Sequence, residues 1–341
     1  MVPPANPLGP VGLILPTLPQ QTMPRWAASS PRSSLPGALP ATGTGFPDAA
    51  SELAAICVEA ERLGAGALWA CDHIFWHRPV LECLTSLTVA ATATRSVALG
   101  SCVLQLPLRS PAIVAKEAAS LQLLSGGRLV LGVGVGSHVG EYEVLGADFA
   151  TRGRDLDAGI VTLRESWASG QGVDTGDLEA GGAERYRQLP APPPVPVWVG
   201  GSSEAALRRA ARLADGWIPL FVEVPDYATA LERLAKETDR AGRPAGSVTP
   251  AIVLFVSVDD DDVDAGRQRG LEWMSSLYGI PAKAFARHMV AGTSAQVAAT
   301  VAEYLATGAQ HVVIYITADD PLPQFERLVD ALGADGIQAR R

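Results

Sequence analysis

An aspartate and a histidine stand side by side at the end of an apolar run, as Asp72-His73, and form the clearest acid–base pair in the chain. An imidazole can move a proton near neutral pH, and a neighbouring carboxylate can orient or tune it. Trp76 and His77 follow in the same stretch. His73 and His77 are spaced like metal ligands on one helix, but Pro79 argues against a helix here, so no metal site is expected. The stretch predicts proton transfer, with His73 as the catalytic acid or base.

Three glycines at alternate positions, Gly132, Gly134 and Gly136, end a second apolar run and are followed by Ser137-His138. Glycine lets a large group approach the backbone closely, although the same spacing could simply relieve crowding inside a barrel. The pattern lacks the G-x-G-x-x-G spacing of dinucleotide sites, so a nicotinamide dinucleotide is not expected. The spacing alone leaves the first two interpretations open.

The segment Gly200-Gly201-Ser202-Ser203 lies between a predicted strand and a predicted helix. Free backbone N–H groups and two hydroxyls at the positive end of a helix suit a phosphate group. The alternative is an ordinary helix N-cap made by one of the two serines. Two glycines together with two serines favour the phosphate interpretation.

The overall composition argues against several classes of function. The 341 residues carry a formal net charge of −9 without a Lys/Arg cluster, so nucleic acid is not an expected partner. Four cysteines without a C-x-x-C pair indicate reduced, buried thiols. The sequence shows neither a nucleophile-elbow serine nor paired carboxylates at strand ends. It also lacks a leader pattern and a membrane-length apolar run, so we expect a cytoplasmic protein that contacts no membrane.

Eight short apolar runs, beginning near residues 11, 67, 97, 128, 195, 216, 250 and 311, alternate with helical patterns. No hairpin turn joins the runs, so they predict parallel strands linked by helical crossovers. The predicted fold is α/β, a (β/α)8 TIM barrel, with a doubly wound open sheet as the alternative. We expect a single domain over 1–341, with a Pro/Ser/Gly-rich loop at about 17–47 and an excursion from the barrel at about 170–194.

A barrel of this kind places its active site at the carboxyl ends of its strands. The predicted fold would therefore gather residues that follow five different strands. These candidates are the segment 72–77, the segment 102–105, the segment 134–138, the segment 200–203, and Trp217 or Leu220.

Four segments together resemble the bacterial luciferase-like family of flavin- and deazaflavin-dependent oxidoreductases. They are residues 121–136 (LQLLSGGRLVLGVGVG), 152–157 (RGRDLD), 197–203 (VWVGGSS) and 214–217 (ADGW). The resemblance extends over about 11–332, and its combined motifs are specific, although each is weak alone. It implies a (β/α)8 barrel with an insertion, a cofactor phosphate at the segment 200–203, and a flavin-type ring across the strand ends.

The resemblance also implies roles for individual residues. Asp72-His73 is similar to the Asp-His pair of the deazaflavin-dependent members, in which the histidine handles the proton that accompanies hydride transfer. Cys102-Val103 matches the position of a non-prolyl cis peptide against the ring. The other implied cofactor-binding residues are Gly134, Gly136, Ser137, His138, Gly200, Gly201, Ser202 and Ser203, and the implied substrate-pocket residues are Trp76, His77 and Trp217. Members often have Trp where this chain has Ser137-His138.

The implied function is hydride transfer between the deazaflavin coenzyme F-420 and a small organic substrate, and we expect the protein to be a homodimer. The first alternative is an FMN-dependent monooxygenase that uses reduced flavin and O2, with a separate flavin reductase as partner. The second alternative is a non-catalytic ligand-binding barrel. For the acidic tail of coenzyme F-420, Arg208 and Arg209 are the nearest pair of cations in the sequence.

Overall fold

The computed structural model describes residues 8–16, 49–78, 80–168 and 189–334. The predicted loop at 17–47 lies outside the described residues, and so does the part of the predicted excursion from 170 to 188.

Eight parallel strands form a closed barrel. The last of these eight, which begins at residue 311, pairs with the first, which begins at residue 11, and with the one that begins at residue 249. Each of the eight begins within two residues of its predicted start. Two short strands, β4 and β9, were not predicted; β4 pairs with β5, and β9 pairs with the far end of β8. In chain order the strands are β1 (Val11–Ile14), β2 (Ala67–Ala70), β3 (Ala98–Ser101), β4 (Leu104–Gln105), β5 (Leu129–Gly134), β6 (Val197–Gly200), β7 (Gly216–Ile218), β8 (Thr249–Val258), β9 (Met289–Gly292) and β10 (His311–Ile316).

Helices cover the outside of the barrel, as the alternating pattern predicts. Several start at a side-chain cap: Ser203 accepts from the N–H of Ala206, and Asp262 accepts from the N–H of Ala265, so the acidic run before residue 263 is a helix start. The described helices are α1 (Ala49–Arg62), α2 (Cys83–Ala93), α3 (Pro111–Leu124), α4 (Val139–Leu145), α5 (Arg152–Trp167), α6 (Glu204–Leu213), α7 (Val224–Arg240), α8 (Val263–Tyr278), α9 (Ser294–Thr307) and α10 (Leu322–Ala334).

The core has two layers, one between the strands and the helices and one inside the barrel. Inside the barrel, Trp69 and Trp198 pack with their ring centroids 5.4 Å apart, and both contact the ring of His311. Gly100 leaves room for this packing, because a Cβ there would lie 2.1 Å from the Trp69 ring. The inner layer fills the barrel below the strand ends, where the candidate site residues begin.

His311 is a structural residue that is held neutral inside the barrel. The indole N–H of Trp69 donates to its Nε2 at 3.0 Å, so its proton is on Nδ1, which donates to the carbonyl of Gly9 at 2.7 Å. Burial lowers the pKa of His311 to about 4. The imidazole is therefore uncharged at neutral pH, with both nitrogens satisfied.

We expect the stability of the barrel to fall in acid partly because of His311. Its pKa is lower in the folded chain than in the unfolded chain, so the unfolded chain binds the proton first. The stabilisation is complete above about pH 6.5 and is lost as the pH falls towards 4, at a cost of about 3 kcal/mol. Denaturant unfolding between pH 7 and pH 4 should show this loss in the free energy of unfolding. In His311→Gln, whose side chain does not titrate, the loss over the same pH range should be smaller by about 3 kcal/mol. An equal loss in both proteins would contradict the assignment.

Candidate active site

The carboxyl ends of β2 and β4 and the start of α4 bring one set of polar side chains together. His73 follows β2, Gln105 ends β4, and Glu141 lies in the first turn of α4. Strand pairing explains the meeting, because β2 neighbours β3, and β3 and β4 both neighbour β5, which leads into α4.

His73 is oriented by Glu141. The Nδ1 of His73 lies 2.9 Å from Oε2 of Glu141. An ionised carboxylate only accepts hydrogen bonds, so Nδ1 carries the proton and Nε2 is left as the acceptor. No described residue bonds to Nε2, and the side chain is 23% exposed. The imidazole is thus fixed on one side and open on the other.

Glu141 is a fully buried carboxylate in the first turn of α4. Its Oε1 accepts from the N–H groups of Ile74 at 2.7 Å and Phe75 at 3.0 Å. Burial by itself raises the pKa of Glu141, but the hydrogen bonds from His73 and from the N–H of Phe75 outweigh it and leave the pKa below its ordinary value. Glu141 is therefore ionised at neutral pH and can stabilise a proton on His73.

Gln105 connects the two carboxylates of the site. Its Nε2 donates to Oε2 of Glu141 and to the carbonyl of Asp72, each at 3.2 Å. These two acceptors fix the orientation of the amide. The Oε1 of Gln105 is buried and has no donor among the described residues. It is consequently an acceptor available to a bound group.

Asp72 does not contact the imidazole, which corrects the expectation that it orients His73. Its carboxylate instead forms two hydrogen bonds of 2.7 Å with Arg109 and accepts from the N–H of Gln105 at 2.8 Å. Burial raises the pKa of Asp72, and the charge of Arg109 opposes this rise. The strand-end geometry turns Asp72 away from the mouth, so its part in the site is to hold the backbone at Gln105.

Trp76 packs flat on His73 and also contacts the rings of His77 and His138. Its ring lies 3.9 Å from the His73 ring centroid and 5.3 Å from that of His138. Its indole N–H donates to the carbonyl of Leu277 at 3.1 Å, and Nε2 of His77 donates to the carbonyl of Ser276 at 3.0 Å. Trp76 therefore borders His73 and His138 meets the edge of the Trp76 ring, whereas His77 is exposed and bonds to the end of α8.

The peptide bond between Cys102 and Val103 is cis, as the resemblance implied. The side chain of Val103 fits between two glycines of neighbouring strands: a Cβ on Gly134 would lie 2.6 Å from it, and one on Gly200 would lie 2.9 Å from it. Both glycines are therefore needed for the close approach of Val103. The half-buried Cys102 and Val103 face the barrel mouth.

The other two alternating glycines, like Gly134, make room for the protein itself. A Cβ on Gly132 would lie 2.0 Å from the carbonyl oxygen of Ser101, and one on Gly136 would lie 1.9 Å from Oε1 of Gln105. Gly136 also has a φ of +68°. The space beside Gly136 is thus occupied by Gln105, the last residue of β4.

The predicted phosphate segment lies at the start of α6. Ser203 is the N-cap, as the alternative interpretation proposed, while Ser202 is exposed and Gly201 has a φ of +108°. Glu204 in the first helical turn forms ion pairs with Arg233 and Arg208. The segment offers backbone N–H groups and Ser202 in a nearly balanced charge environment.

Two residues are placed elsewhere than expected. Trp217 is 1% exposed, stacks on Tyr227 of α7 and donates its N–H to the carbonyl of Gly201 at 3.0 Å, so it does not line the pocket beside His73. Arg209 is buried against Asp157, so it cannot attract an acidic tail. Trp217 packs in the layer between strands and helices, and Arg209 lies between α6 and α5.

Residues 31–311 match the model of the luciferase-like monooxygenase family. The chain belongs to this family. The resemblance and the barrel fold expected from the sequence are therefore confirmed, and the luciferase-like chain is a member of a family of oxidoreductases.

Two mycobacterial proteins are similar in sequence to the luciferase-like chain. An uncharacterised protein of Mycobacterium tuberculosis is 37% identical over 193 residues, which is 55% of this chain and 63% of that protein. A phthiodiolone/phenolphthiodiolone dimycocerosates ketoreductase of the same species is 34% identical over 203 residues, which is 56% of this chain and 51% of the ketoreductase. The chain spans between half and two thirds of the length of these relatives.

Two solved structures share the luciferase-like barrel. An F-420-dependent secondary alcohol dehydrogenase in complex with an F-420–acetone adduct has a TM-score of 0.74 at 18% identity, and covers 84% of this chain and 94% of its own. An EDTA monooxygenase from a Chelativorans species has a TM-score of 0.72 at 15% identity, and covers 97% of this chain and 94% of its own. Identities this low establish the fold alone.

Two residues of the luciferase-like site, Glu141 and Arg109, were missed in the sequence, whereas Gln105 was among the strand-end candidates. The available signal was a glutamate in the first turn of a short helix that directly follows a candidate strand end. Within the described ranges, no group of three or more His, Cys, Asp or Glu side chains could hold a metal ion. The helices described in these ranges also include none that could cross a membrane.

Proposed function

We propose that the chain catalyses hydride transfer between coenzyme F-420 and a small organic substrate, with His73 as the proton partner. The observation that carries the proposal is the imidazole itself, whose Nδ1 is held by the buried Glu141 and whose Nε2 faces the open mouth. A hydride leaving or reaching a carbon that bears oxygen requires a proton at that oxygen, and a positioned imidazole supplies or accepts it.

The proton path follows from the hydrogen bonds of His73. In the direction of alcohol oxidation, Nε2 accepts the hydroxyl proton while Nδ1 keeps its proton, and the ring becomes an imidazolium. Glu141 stabilises this charge because its carboxylate is ionised and 2.9 Å from Nδ1. In the direction of ketone reduction, Nε2 returns the proton to the carbonyl oxygen. The carboxylate is preorganised for both directions, since two backbone N–H groups hold its other oxygen.

The residues at the mouth suit a deazaflavin. The Cys102–Val103 segment, fixed between Gly134 and Gly200, offers an apolar surface to one face of a ring. The unpartnered Oε1 of Gln105 can accept from a polar hydrogen of the ring. Gly201 and Ser202 can hold a phosphate with backbone N–H groups and a hydroxyl. When bound, the cofactor supplies the carbon that exchanges hydride with the substrate.

The proposed substrate is a ketone or the matching secondary alcohol. One relative similar in sequence is named a ketoreductase, and one structural neighbour is described with an acetone adduct. A single histidine as proton partner fits this chemistry, because one proton accompanies one hydride. The proposal includes His138, Ser137 and Trp76 as residues that border the ring and the substrate.

The alternative is an FMN-dependent monooxygenase that receives reduced flavin from a separate reductase. The counterion balance at the start of α6 favours this alternative in one respect, since Glu204 and the buried Arg209 leave little positive charge for the acidic tail of coenzyme F-420. A barrel that only binds a ligand is the remaining candidate. We further propose that the protein acts in the cytoplasm as a homodimer and that 1–341 form one domain.

The choice of cofactor is tested by titrating the purified protein with coenzyme F-420, FMN and riboflavin while following ligand fluorescence. We expect coenzyme F-420 to bind at least about tenfold more tightly than FMN, a difference of about 1.4 kcal/mol. FMN should in turn bind more tightly than riboflavin, which has the same ring without the phosphate. Tight FMN binding without a response to coenzyme F-420 would select the monooxygenase, and no binding of any of the three would select the ligand-binding barrel.

A further inference from the structure

A continuous set of aromatic rings belongs to the apolar cluster inside the barrel that also contains Cys102 and Val103. We call it the aromatic wall; its members are Phe221, Phe255, Trp273, Tyr278, Phe285 and Tyr315. They come from β8, α8, β10 and the segments after β7 and α8. The wall therefore comes from other strands than His73 and Gln105, and it shares one cluster with Cys102 and Val103, the segment proposed to contact the cofactor ring.

The rings of the wall hold one another in place. Phe255 stacks on Phe221 with centroids 5.2 Å apart and on Tyr315 with centroids 5.0 Å apart. Trp273 meets the edge of Tyr315 at 5.3 Å. Aromatic pairs at these distances attract one another beyond the gain from buried area, so the wall is a rigid surface.

The wall is apolar and uncharged. Its three half-buried members, Phe221, Trp273 and Tyr278, leave part of their surface open at the strand ends. The hydroxyl of Tyr315 is hydrogen-bonded to the thiol of Cys71. Burial raises the pKa of Tyr278 and of Tyr315 above the ordinary value. Both phenols are accordingly neutral at physiological pH.

The wall and the catalytic histidine are joined through one helix end. Trp76, stacked on His73, donates its N–H to the carbonyl of Leu277, the residue before Tyr278. The end of α8 therefore holds Trp76 beside His73 and also carries Tyr278 of the wall.

Phe221 is the member of the wall whose backbone is most unusual. It follows β7 with a φ of +59°, in the left-handed region that costs a non-glycine residue about 1 kcal/mol or more. This conformation turns its ring onto Phe255 and within 5.2 Å of the ring of His288. The ring also borders a cavity of about 350 Å³ that reaches Ser202 at the start of α6. Phe221 thus lies between the proposed phosphate segment and the other members of the wall.

We propose that the aromatic wall binds the carbon skeleton of the substrate, so that the substrate is a neutral ketone or secondary alcohol bearing a ring or another bulky apolar group. This inference rests on the proposed function, because His73 defines where the oxygen lies. Flat aromatic rings without charge favour apolar carbon and disfavour an ionised group, which would lose its hydration there.

A cavity that contains two arginines offers a competing location for a charged substrate. A cavity of about 410 Å³ behind Trp273 is lined by Arg78, Arg269, Glu272 and Asp319. Its two basic and two acidic side chains balance, and Arg269 is already paired with Asp259. A substrate with a carboxylate or phosphate would have to use this cavity instead of the wall.

The test measures binding of three ketones by calorimetry to the protein saturated with the cofactor that the titration selects. The probes are acetone, acetophenone and para-acetylbenzoate, the last being acetophenone with a carboxylate. We expect acetophenone to bind at least about tenfold more tightly than either of the others. Equal binding of acetone and acetophenone, or tighter binding of para-acetylbenzoate, would overturn the proposal.

Variants of Phe221 separate the ring from the backbone. Phe221→Asn suits the left-handed conformation but removes the ring, and should weaken acetophenone binding about tenfold with little change for acetone. Phe221→Leu should weaken it less. Ile280→Ala, an exposed side chain near the same helix end, is the control and should change neither. Equal affinities of Phe221→Asn and the natural protein for acetophenone would contradict the role of the wall.

The same binding series in His73→Ala distinguishes the two proposals. If His73 is not the proton partner but the wall binds the substrate, the preference for acetophenone persists in the variant and turnover is also unaffected. If the wall is not the subsite, turnover depends on His73 while the preference for acetophenone is absent from both proteins.

Discussion

His73→Ala is expected to lower kcat by about a hundredfold to ten-thousandfold, with the cofactor still bound. The loss is this large because a positioned acid or base contributes about that factor to a step with proton transfer. In the structure the open Nε2 is the group that can meet a substrate oxygen, and Asp72 beside it in sequence is committed to Arg109. The measurement is steady-state turnover of a confirmed ketone or secondary alcohol.

Two further measurements show that the loss comes from the proton and not from damage to the fold. His73→Gln keeps a side chain that can bond to Glu141 but cannot transfer a proton, so it should lose as much turnover as His73→Ala. Cofactor affinity and thermal unfolding should be close to those of the natural protein, since the side chain is 23% exposed. Turnover at the natural rate in either variant would show that His73 is not the proton partner.

Glu141→Gln is expected to lower kcat by about a hundredfold with a much smaller change in KM. The amide loses the negative charge that stabilises a proton on His73, and its NH2 group would meet donors where the carboxylate accepts. Because Glu141 touches His73 and is fully buried, it positions the catalytic group and does not meet the substrate. Steady-state kinetics should therefore separate kcat from KM.

The matched control for Glu141 is Glu143→Gln, two residues along the same helix and exposed. It should leave kcat unchanged. The double variant His73→Ala with Glu141→Gln should be no slower than His73→Ala alone, because residues that act as a unit are not additive. A multiplicative loss in the double variant, or an equal loss in Glu143→Gln, would contradict the role of Glu141.

The barrel could be predicted from the sequence because its strands are buried on both faces and show as short apolar runs. Strand β5, for example, is buried over its whole length. The apolar runs predicted to begin at residues 11 and 311 start at the first residues of β1 and β10. Strands β4 and β9 escaped prediction for a physical reason: β4 has two residues and follows a cis peptide bond, and β9 is half-exposed.

The site was predicted in part, and the errors have one cause. Strand-end position correctly placed His73 and Trp76 at the mouth, but it cannot say which way a side chain turns. Asp72 turns towards Arg109 because two strong hydrogen bonds and a backbone N–H are available there. Trp217 turns outwards onto Tyr227. Sequence spacing carries no information about such choices, which depend on contacts between distant parts of the chain.

Glu141 was missed because a glutamate on a short helix is usually solvated. Only the fold shows that the first turn of α4 lies over the end of β2. The spacing of the three glycines was compatible with room for a ligand or with relief of crowding inside the barrel. In the structure, Gly132 accommodates Ser101 of β3 and Gly136 accommodates Gln105 of β4. The remaining glycine, Gly134, holds Val103, and through it the surface proposed for the ring.

The most direct test of the account is chemical rescue of His73→Ala by free imidazole. Removing the side chain leaves a space beside Glu141 whose carboxylate still accepts a hydrogen bond, so added imidazole can take the place of the lost ring. We predict that turnover by His73→Ala rises with imidazole concentration and saturates, and that the variant that also carries Glu141→Gln is rescued much less. Turnover that does not respond to imidazole, while cofactor and substrate still bind, would contradict the claim that His73 moves the proton.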